Sequence, residues 1–357
     1  MNKLKFFSVL SLSLAMAGVS KAQFDYIKPD DMDQLHSRTL IVIVEKTTDQ
    51  MTDKLKKKKK ADKVAEYGKA IDAFNKNFGD AIGKYWKVSE GEVQYKTLDE
   101  ANDIPLNEKK NYVVLFCRSA KQADLTTSYE TTNGIVWWPD MKEVAHDRDL
   151  NDKMTVLGMA MLDKLNKTPF YQFAIPDLYP NKADMDYAIN AASTYIMYRV
   201  NHRKDNPKKL DEQMLVENQP TLRDKTLLIR REWLDKKLLA NKAELEKDYP
   251  FPYMIAGRDT IDRMIDSADA KYAVAMVVPN DLAAAPSGGL QYVQYVYNCE
   301  DGAILASSGI ADMPSDPKGG IATNSTKPLI TKRTLLDFSL YIRDSNESGD
   351  KKKKGRK

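Results

Sequence analysis

Two stretches of this chain place apolar residues in the same order. In the first, Thr39-Leu-Ile-Val-Ile-Val44 is a continuous apolar, β-branched run of strand length. After a lysine-rich connection, Val64, Tyr67, Ile71, Phe74, Phe78, Ile82 and Trp86 recur at three- and four-residue steps, the spacing of one helix face. Glu92 to Lys96 reads as a short strand and Thr97 to Asn102 as a short helix. Tyr112-Val-Val-Leu-Phe-Cys117 reads as a buried strand, and Gly134-Ile-Val-Trp-Trp138 as a closing one.

The second stretch opens with a strand at Thr226-Leu-Leu-Ile229 and continues with helical sequence from Glu232 to Lys247. Tyr253-Met-Ile255 is a short strand, and Asp259 to Ala268 a helix with Asp259 or Thr260 as its cap. Tyr272 to Val278 is a buried strand. Leu290 to Tyr297 alternates as a strand with one exposed face would. Asn298-Cys-Glu-Asp-Gly302 is a hairpin turn, its Asp-Gly pair supplying the residues that tight turns favour, and Ala303 to Ala306 is the returning strand.

Both stretches therefore run strand, helix, strand, short helix, strand, then antiparallel strands. Thr226 follows Thr39 by 187 residues and Tyr272 follows Tyr112 by 160. The shared order predicts an internal duplication that has diverged; the alternative is two unrelated modules built from common ingredients. The expected fold class is α+β, a mixed α/β chain of two small mixed-sheet modules with helices on one face, joined by a helical segment.

That segment is expected from Asp149 to Leu165, with Leu150, Met154, Leu157, Met161 and Leu165 on one side. A second helix runs from Asp184 to Val200 on Met185, Ile189, Ala192, Ile196 and Val200. Asn206-Pro-Lys-Lys and Asn218-Gln-Pro220 read as an exposed linker. Thr331 to Ile342 is a terminal helix docked by Leu335, Leu336, Phe338 and Ile342, behind a loop over 312–328. The boundaries are then 1–22 for a leader, 23–148 for the first module, 149–220 for the helical connector, 221–343 for the second module and 344–357 for a basic tail.

The leader reading rests on Lys3 and Lys5, an apolar stretch from Phe6 to Val19, and Ser20-Lys21-Ala22, with cleavage after Ala22 and Gln23 as the mature start. The alternative is an N-terminal anchor. No later segment reaches the roughly 20 apolar residues of a transmembrane helix. A periplasmic or secreted protein follows.

Charge alters this picture little. Setting aside three lysines in 1–22 and six basic side chains in 351–357, residues 23–350 carry −5 of the formal net +4. The basic balance is a property of the ends, which argues against a nucleic-acid-binding face. Apolar residues at 42% are enough for a core.

Few residues offer chemistry. Cys117 and Cys299 either pair as a disulfide in an oxidising compartment or are two buried thiols. With three scattered histidines they give no metal-ligand spacing, so neither metal nor cofactor is expected. His146-Asp-Arg-Asp149 sets a base beside two carboxylates, but adjacency in sequence is not a positioned pair; a polar loop is the simpler reading. Ser287-Gly-Gly289 and Lys318-Gly-Gly320 read as flexible hairpin connections, with an anion-cradling turn as the alternative. Trp137 and Trp138 are the candidate glycan or partner contact, or else a core edge. Lys56, Lys57, Lys58, Lys59 and Lys60, expected mostly in a loop, and Lys351, Lys352, Lys353 and Lys354 in the tail are the candidate contacts to an anionic envelope surface, or else a solvated loop and a disordered end kept open by self-repulsion.

The hairpin Tyr292-Val-Gln-Tyr-Val-Tyr-Asn-Cys-Glu-Asp-Gly-Ala-Ile-Leu-Ala306 resembles the strand–(Asp/Glu)-x-Gly–strand hairpin of envelope assembly proteins with curli-secretion-lipoprotein-like or penicillin-binding-protein-activator-like domains. The amino-terminal domain of the TolB periplasmic protein shares part of the plan. The likeness covers 226–306, and 39–138 more loosely; the chain differs in lacking an acylated cysteine and in carrying two modules. It implies binding and assembly rather than catalysis, and assigns no residue a role. The expectation is thus a non-enzymatic exported protein that docks an envelope protein partner. A glycan- or peptidoglycan-binding protein and a hydrolase with a site drawn from distant loops are the alternatives.

Overall fold

A computed structural model describes residues 23–25, 29–57, 61–121, 153–167, 169–203, 205, 207–280, 291–308 and 328–342. The chain runs β1 (Gln23–Asp25), α1 (Pro29–Leu35), β2 (Thr39–Ile43), α2 (Asp49–Lys57), α3 (Ala61–Tyr85), β3 (Val93–Lys96), α4 (Leu98–Asn102), α5 (Leu106–Lys109) and β4 (Tyr112–Lys121). It continues with β5 (Lys153–Met161), β6 (Tyr171–Ile175), α6 (Lys182–Asn201), α7 (Pro207–Leu222), β7 (Thr226–Arg230), α8 (Lys236–Ala240) and α9 (Lys242–Asp248). The last elements are β8 (Tyr253–Ala256), α10 (Arg258–Ser267), β9 (Tyr272–Asn280), β10 (Gln291–Asn298), β11 (Ile304–Ser308) and a helix over 332–342.

The strands form two mixed sheets in an α+β fold. The first has the order β1-β6-β5-β4-β2-β3 and the second β11-β10-β9-β7-β8. Apart from β1 the two orders are the same, and so is the pairing. The first strand of each lies parallel to the next two, and the last three are antiparallel.

Even the parallel register repeats: Thr39 faces Tyr112 and Leu40 faces Val93, as Thr226 faces Tyr272 and Leu227 faces Tyr253. The unequal spacings of 187 and 160 residues have one source. The connection from first to second strand spans 44–92 in one module and 231–252 in the other, a difference of 27 residues taken up by the longer helices α2 and α3.

Helix α6 binds the two modules into one core. Almost its whole circumference is buried, from Ala183, Met185 and Ile189 round to Tyr187, Tyr195 and Ile196. It packs on α3 of the first module and α10 of the second, and a single apolar cluster runs through both sheets. A smaller cluster of Ile41, Ile43, Val114, Phe116 and Ala160 lies on the other face of the first sheet, closed by Leu98 and Ala101 of α4.

Four local expectations are corrected. Residues 153–161 are a strand, not the helix expected from Asp149 to Leu165, so β5 and β6 complete the first sheet within the span expected to be connector. Residues 154–162 are buried throughout, and an element buried on both faces carries no period of two for a sequence reading to detect. Gly158 sits opposite Phe116, and a Cβ there would lie 2.5 Å from that ring.

The expected linker around Asn206 and Asn218-Gln-Pro220 is largely α7. Pro207 occupies its first turn, where no backbone donor is needed, and Leu210, Met214 and Leu222 face the core. Strand β10 is buried on both faces, and Gln294 keeps its place by donating to the Leu329 carbonyl at 3.2 Å. Helix α10 starts behind Gly257 rather than Asp259 or Thr260. By contrast, Thr97 caps α4 in a reciprocal capping box with Glu100, in the short helix read from the sequence.

Candidate functional site

The densest set of charged groups among the described residues lies where α6 meets the second module. Helix α6 begins with its own capping box: Asn181 accepts from the Asp184 amide at 2.9 Å, and Asp184 accepts from the Asn181 amide at 2.9 Å. This fixes the Asp184 carboxylate at the helix start, where the macrodipole favours an anion. Across the join, Arg258 in the first turn of α10 places Nη2 at 3.0 Å from Asp184 Oδ2 and 3.1 Å from Asp177 Oδ2. Its Nε lies 3.4 Å from Asp262. Asn181 Nδ2 also donates to Asp262 at 2.6 Å, and Arg230, at the end of β7, holds Asp177 at 3.1 Å.

Asp184 is only 5% exposed. Burial raises its carboxyl, the charge of Asp177 raises it further, and the Asn181 amide and Arg258 pull it back, leaving it at about 7. An aspartic acid poised near neutrality in a cleft would be a candidate acid or base. Here its Oδ2 is committed to both a helix cap and an ion pair, so the arrangement joins two modules.

At the first position of α6, Lys182 reaches Asp186 at 2.8 Å and, across the join, Asp266 at 3.2 Å. Lys84, at the end of α3, lies 3.6 Å from Asp186 and donates to the Asp266 carbonyl at 2.9 Å. Asp186 lines a narrow crevice with Tyr85, Asn190, Tyr297, Cys299 and Gly302. Its Oδ1 is buried with no hydrogen-bond partner among the described residues. Asp186 is the one charged side chain lining the crevice among the described residues, and Lys182 and Lys84 both reach it. Among the described residues no three His, Cys, Asp or Glu side chains stand together as metal ligands.

The residues singled out from sequence are not brought together. Cys117, in β4, and Cys299, after β10, are free buried thiols, the second of the two readings, so the proposed disulfide is corrected. Burial pushes Cys299 up to about 12 and Cys117 well above its ordinary value, which keeps both protonated. Lys56 and Lys57 are exposed in the last turn of α2, not in a loop; a helix C-terminus is the end at which cations are favoured. Lys58, Lys59, Lys60, Trp137, Trp138, His146, the two Gly-Gly segments and Lys351 to Lys354 lie outside the described residues. No described helix is long and apolar enough to cross a membrane.

Sequence reading missed Asp177, Asp184, Arg230 and Arg258. The one local signal was Asn181 followed three residues later by Asp184, a capping pattern ahead of an apolar run.

Comparison with protein families, with characterised proteins and with solved structures finds no match for this chain.

Proposed function

We propose that the protein is an exported, non-enzymatic scaffold of the cell envelope whose two sheets each dock an extended segment of an envelope protein. The observation that carries this is the repeated open edge. In both sheets the outermost parallel strand, β3 or β8, has no strand on its outer side among the described residues. An edge strand offers a row of main-chain donors and acceptors that an extended peptide completes, while side-chain contacts select the peptide.

The outward groups can be assigned. Lys96 gives its carbonyl inward to Val44, and Pro252 gives its own inward to Leu227. Alternation along a strand then turns the main-chain groups of Tyr95 in β3, and of Tyr253 and Ile255 in β8, outward. Tyr95 is also 48% exposed, which sets an aromatic side chain beside the open edge. Export itself is read from the Lys3–Ala22 pattern.

The test is crosslinking in cells followed by affinity capture of the mature chain, beside Y95P and I255P. Proline at an outward edge position deletes a docking donor and leaves the inner ladder intact. Capture of one envelope partner by the wild type, weakened in either proline variant, supports the reading. Equal capture by all three, or no partner at all, defeats it.

A further inference from the structure

We propose that Asp177, Asp184, Asp262 and Arg258 form a proton-gated clasp between the two sheets, tighter when one proton sits among the carboxylates and looser when none does. This goes beyond the docking role and stands without it.

The geometry sets the need for a proton. Oxygens of Asp177 and Asp184 share a single nitrogen, Arg258 Nη2, at 3.1 and 3.0 Å, and Asp262 takes Nε of the same guanidinium at 3.4 Å. Three carboxylates thus crowd one cation. Arg230 adds a second at Asp177, but Glu232 lies 3.7 Å from Arg230 Nε and offsets part of it. Fully ionised, these four acids and two arginines sum to −2.

The neighbouring cations on the other packed elements, Lys182 of α6 and Lys84 of α3, are engaged by Asp186 and Asp266. Asp184 is buried, so water relieves little of its repulsion from Asp177.

A proton on Asp184 Oδ1 removes that repulsion and leaves Oδ2 as acceptor for the Asn181 amide and Arg258. The cap and the bridge both survive while the like charge is lost. Asp177 and Asp184 belong to the first module and its long helix, Arg230 and Arg258 to the second. The proton therefore bears on the join and, through it, on the relative placement of β3 and β8.

Hydrogen exchange of the full mature chain, read by mass spectrometry over 177–190 and 256–266 and corrected for intrinsic rates, tests this in half-unit steps from pH 5.5 to 8.5. The wild type is expected to show about tenfold greater protection at pH 5.5. D184N keeps the acceptor and should lose the pH dependence. D177N should move the midpoint to lower pH, because the charge that raises Asp184 has gone. Equal wild-type protection across this range, an unchanged slope in D184N, or an unchanged midpoint in D177N overturns the clasp. Should D184N fail to fold, the D177N midpoint decides.

Discussion

Arg258 Nη2 lies 3.0 Å from Asp184 Oδ2, one residue opening a helix of the second module and the other closing the cap of α6. Removing the arginine takes from three carboxylates the cation they share at the join. Arg258→Ala is expected to destabilise the protein by about 1–3 kcal/mol, an estimate reduced from that for a fully buried pair because Arg258 is partly exposed. The loss should be greater at pH 8 than at pH 5, since these acids are charged at the higher value. Urea unfolding at the two pH values measures both.

Asp184 also predicts the direction of the wild type's own pH dependence. Its folded value of about 7 stands above the ordinary aspartate range, so between roughly pH 4 and pH 7 the folded state holds a proton that the unfolded chain has released. The contribution of this group to stability is therefore greatest on the acid side and is lost as pH rises through that window. D184N should flatten this part of the profile in thermal unfolding scans; a slope equal to that of the wild type would show that other groups set it.

Gly158 makes a prediction about packing. A Cβ at this position meets Phe116 Cε2 and Cζ at 2.5 Å, inside the first sheet and opposite on the ladder. Gly158→Ala is expected to cost roughly 1–3 kcal/mol through overpacking. Phe116→Leu should recover part of that cost in the double variant, so a double-mutant cycle by chemical denaturation should give a favourable coupling between the two substitutions.

Two other glycines should respond in opposite senses. Gly302 has φ +70° and its added Cβ would lie 2.6 Å from the Ala191 amide nitrogen, so the hairpin can approach α6 only without a side chain. Gly302→Ala should cost about 1–3 kcal/mol from backbone strain and collision. Gly83 is exposed in α3 with nothing within 4 Å of its Cβ position, and Gly83→Ala should stabilise by about 0.5–1 kcal/mol. Melting temperatures that shift the same way for both would contradict this account.

The thiols give a simple check. Cys117 and Cys299 are both free and buried, with protonated sulfurs at neutral pH. A disulfide-exchange reagent at pH 8 should leave the native protein nearly unmodified and titrate both cysteines once it is unfolded in denaturant. A non-reduced chain that yields no thiol on unfolding would restore the disulfide.

Most strands were legible where β-branched runs ended in turn residues, as at Thr39–Ile43, Thr226–Arg230 and the hairpin closed by Gly302. The repeated parallel register pairs Thr39 with Tyr112 and Thr226 with Tyr272, the same residue types that open these runs in the sequence. Strand β5 was hidden by Met154, Leu157 and Met161, whose spacing matches a helix although every residue between them is also buried. Gly158 beneath an aromatic ring is the feature that separates the two readings, and only the ladder shows it. The clasp was illegible for a different reason. Asp177 and Arg258 are distant along the chain, and each alone looks like an ordinary surface charge.

Helix α6 has one more consequence, for how this chain can change over time. A surface helix answers to one core and drifts freely on its outer side. Residues 182–201 have almost no such side, since Tyr187 meets Tyr297 of the second sheet at 4.8 Å and Phe173 of the first at 5.5 Å. A substitution there must suit two halves that arrive separately during synthesis. If the halves descend from one ancestor, the segment between them is where their freedom to diverge ends. A survey of related chains should then find the slowest replacement along this helix rather than along any strand.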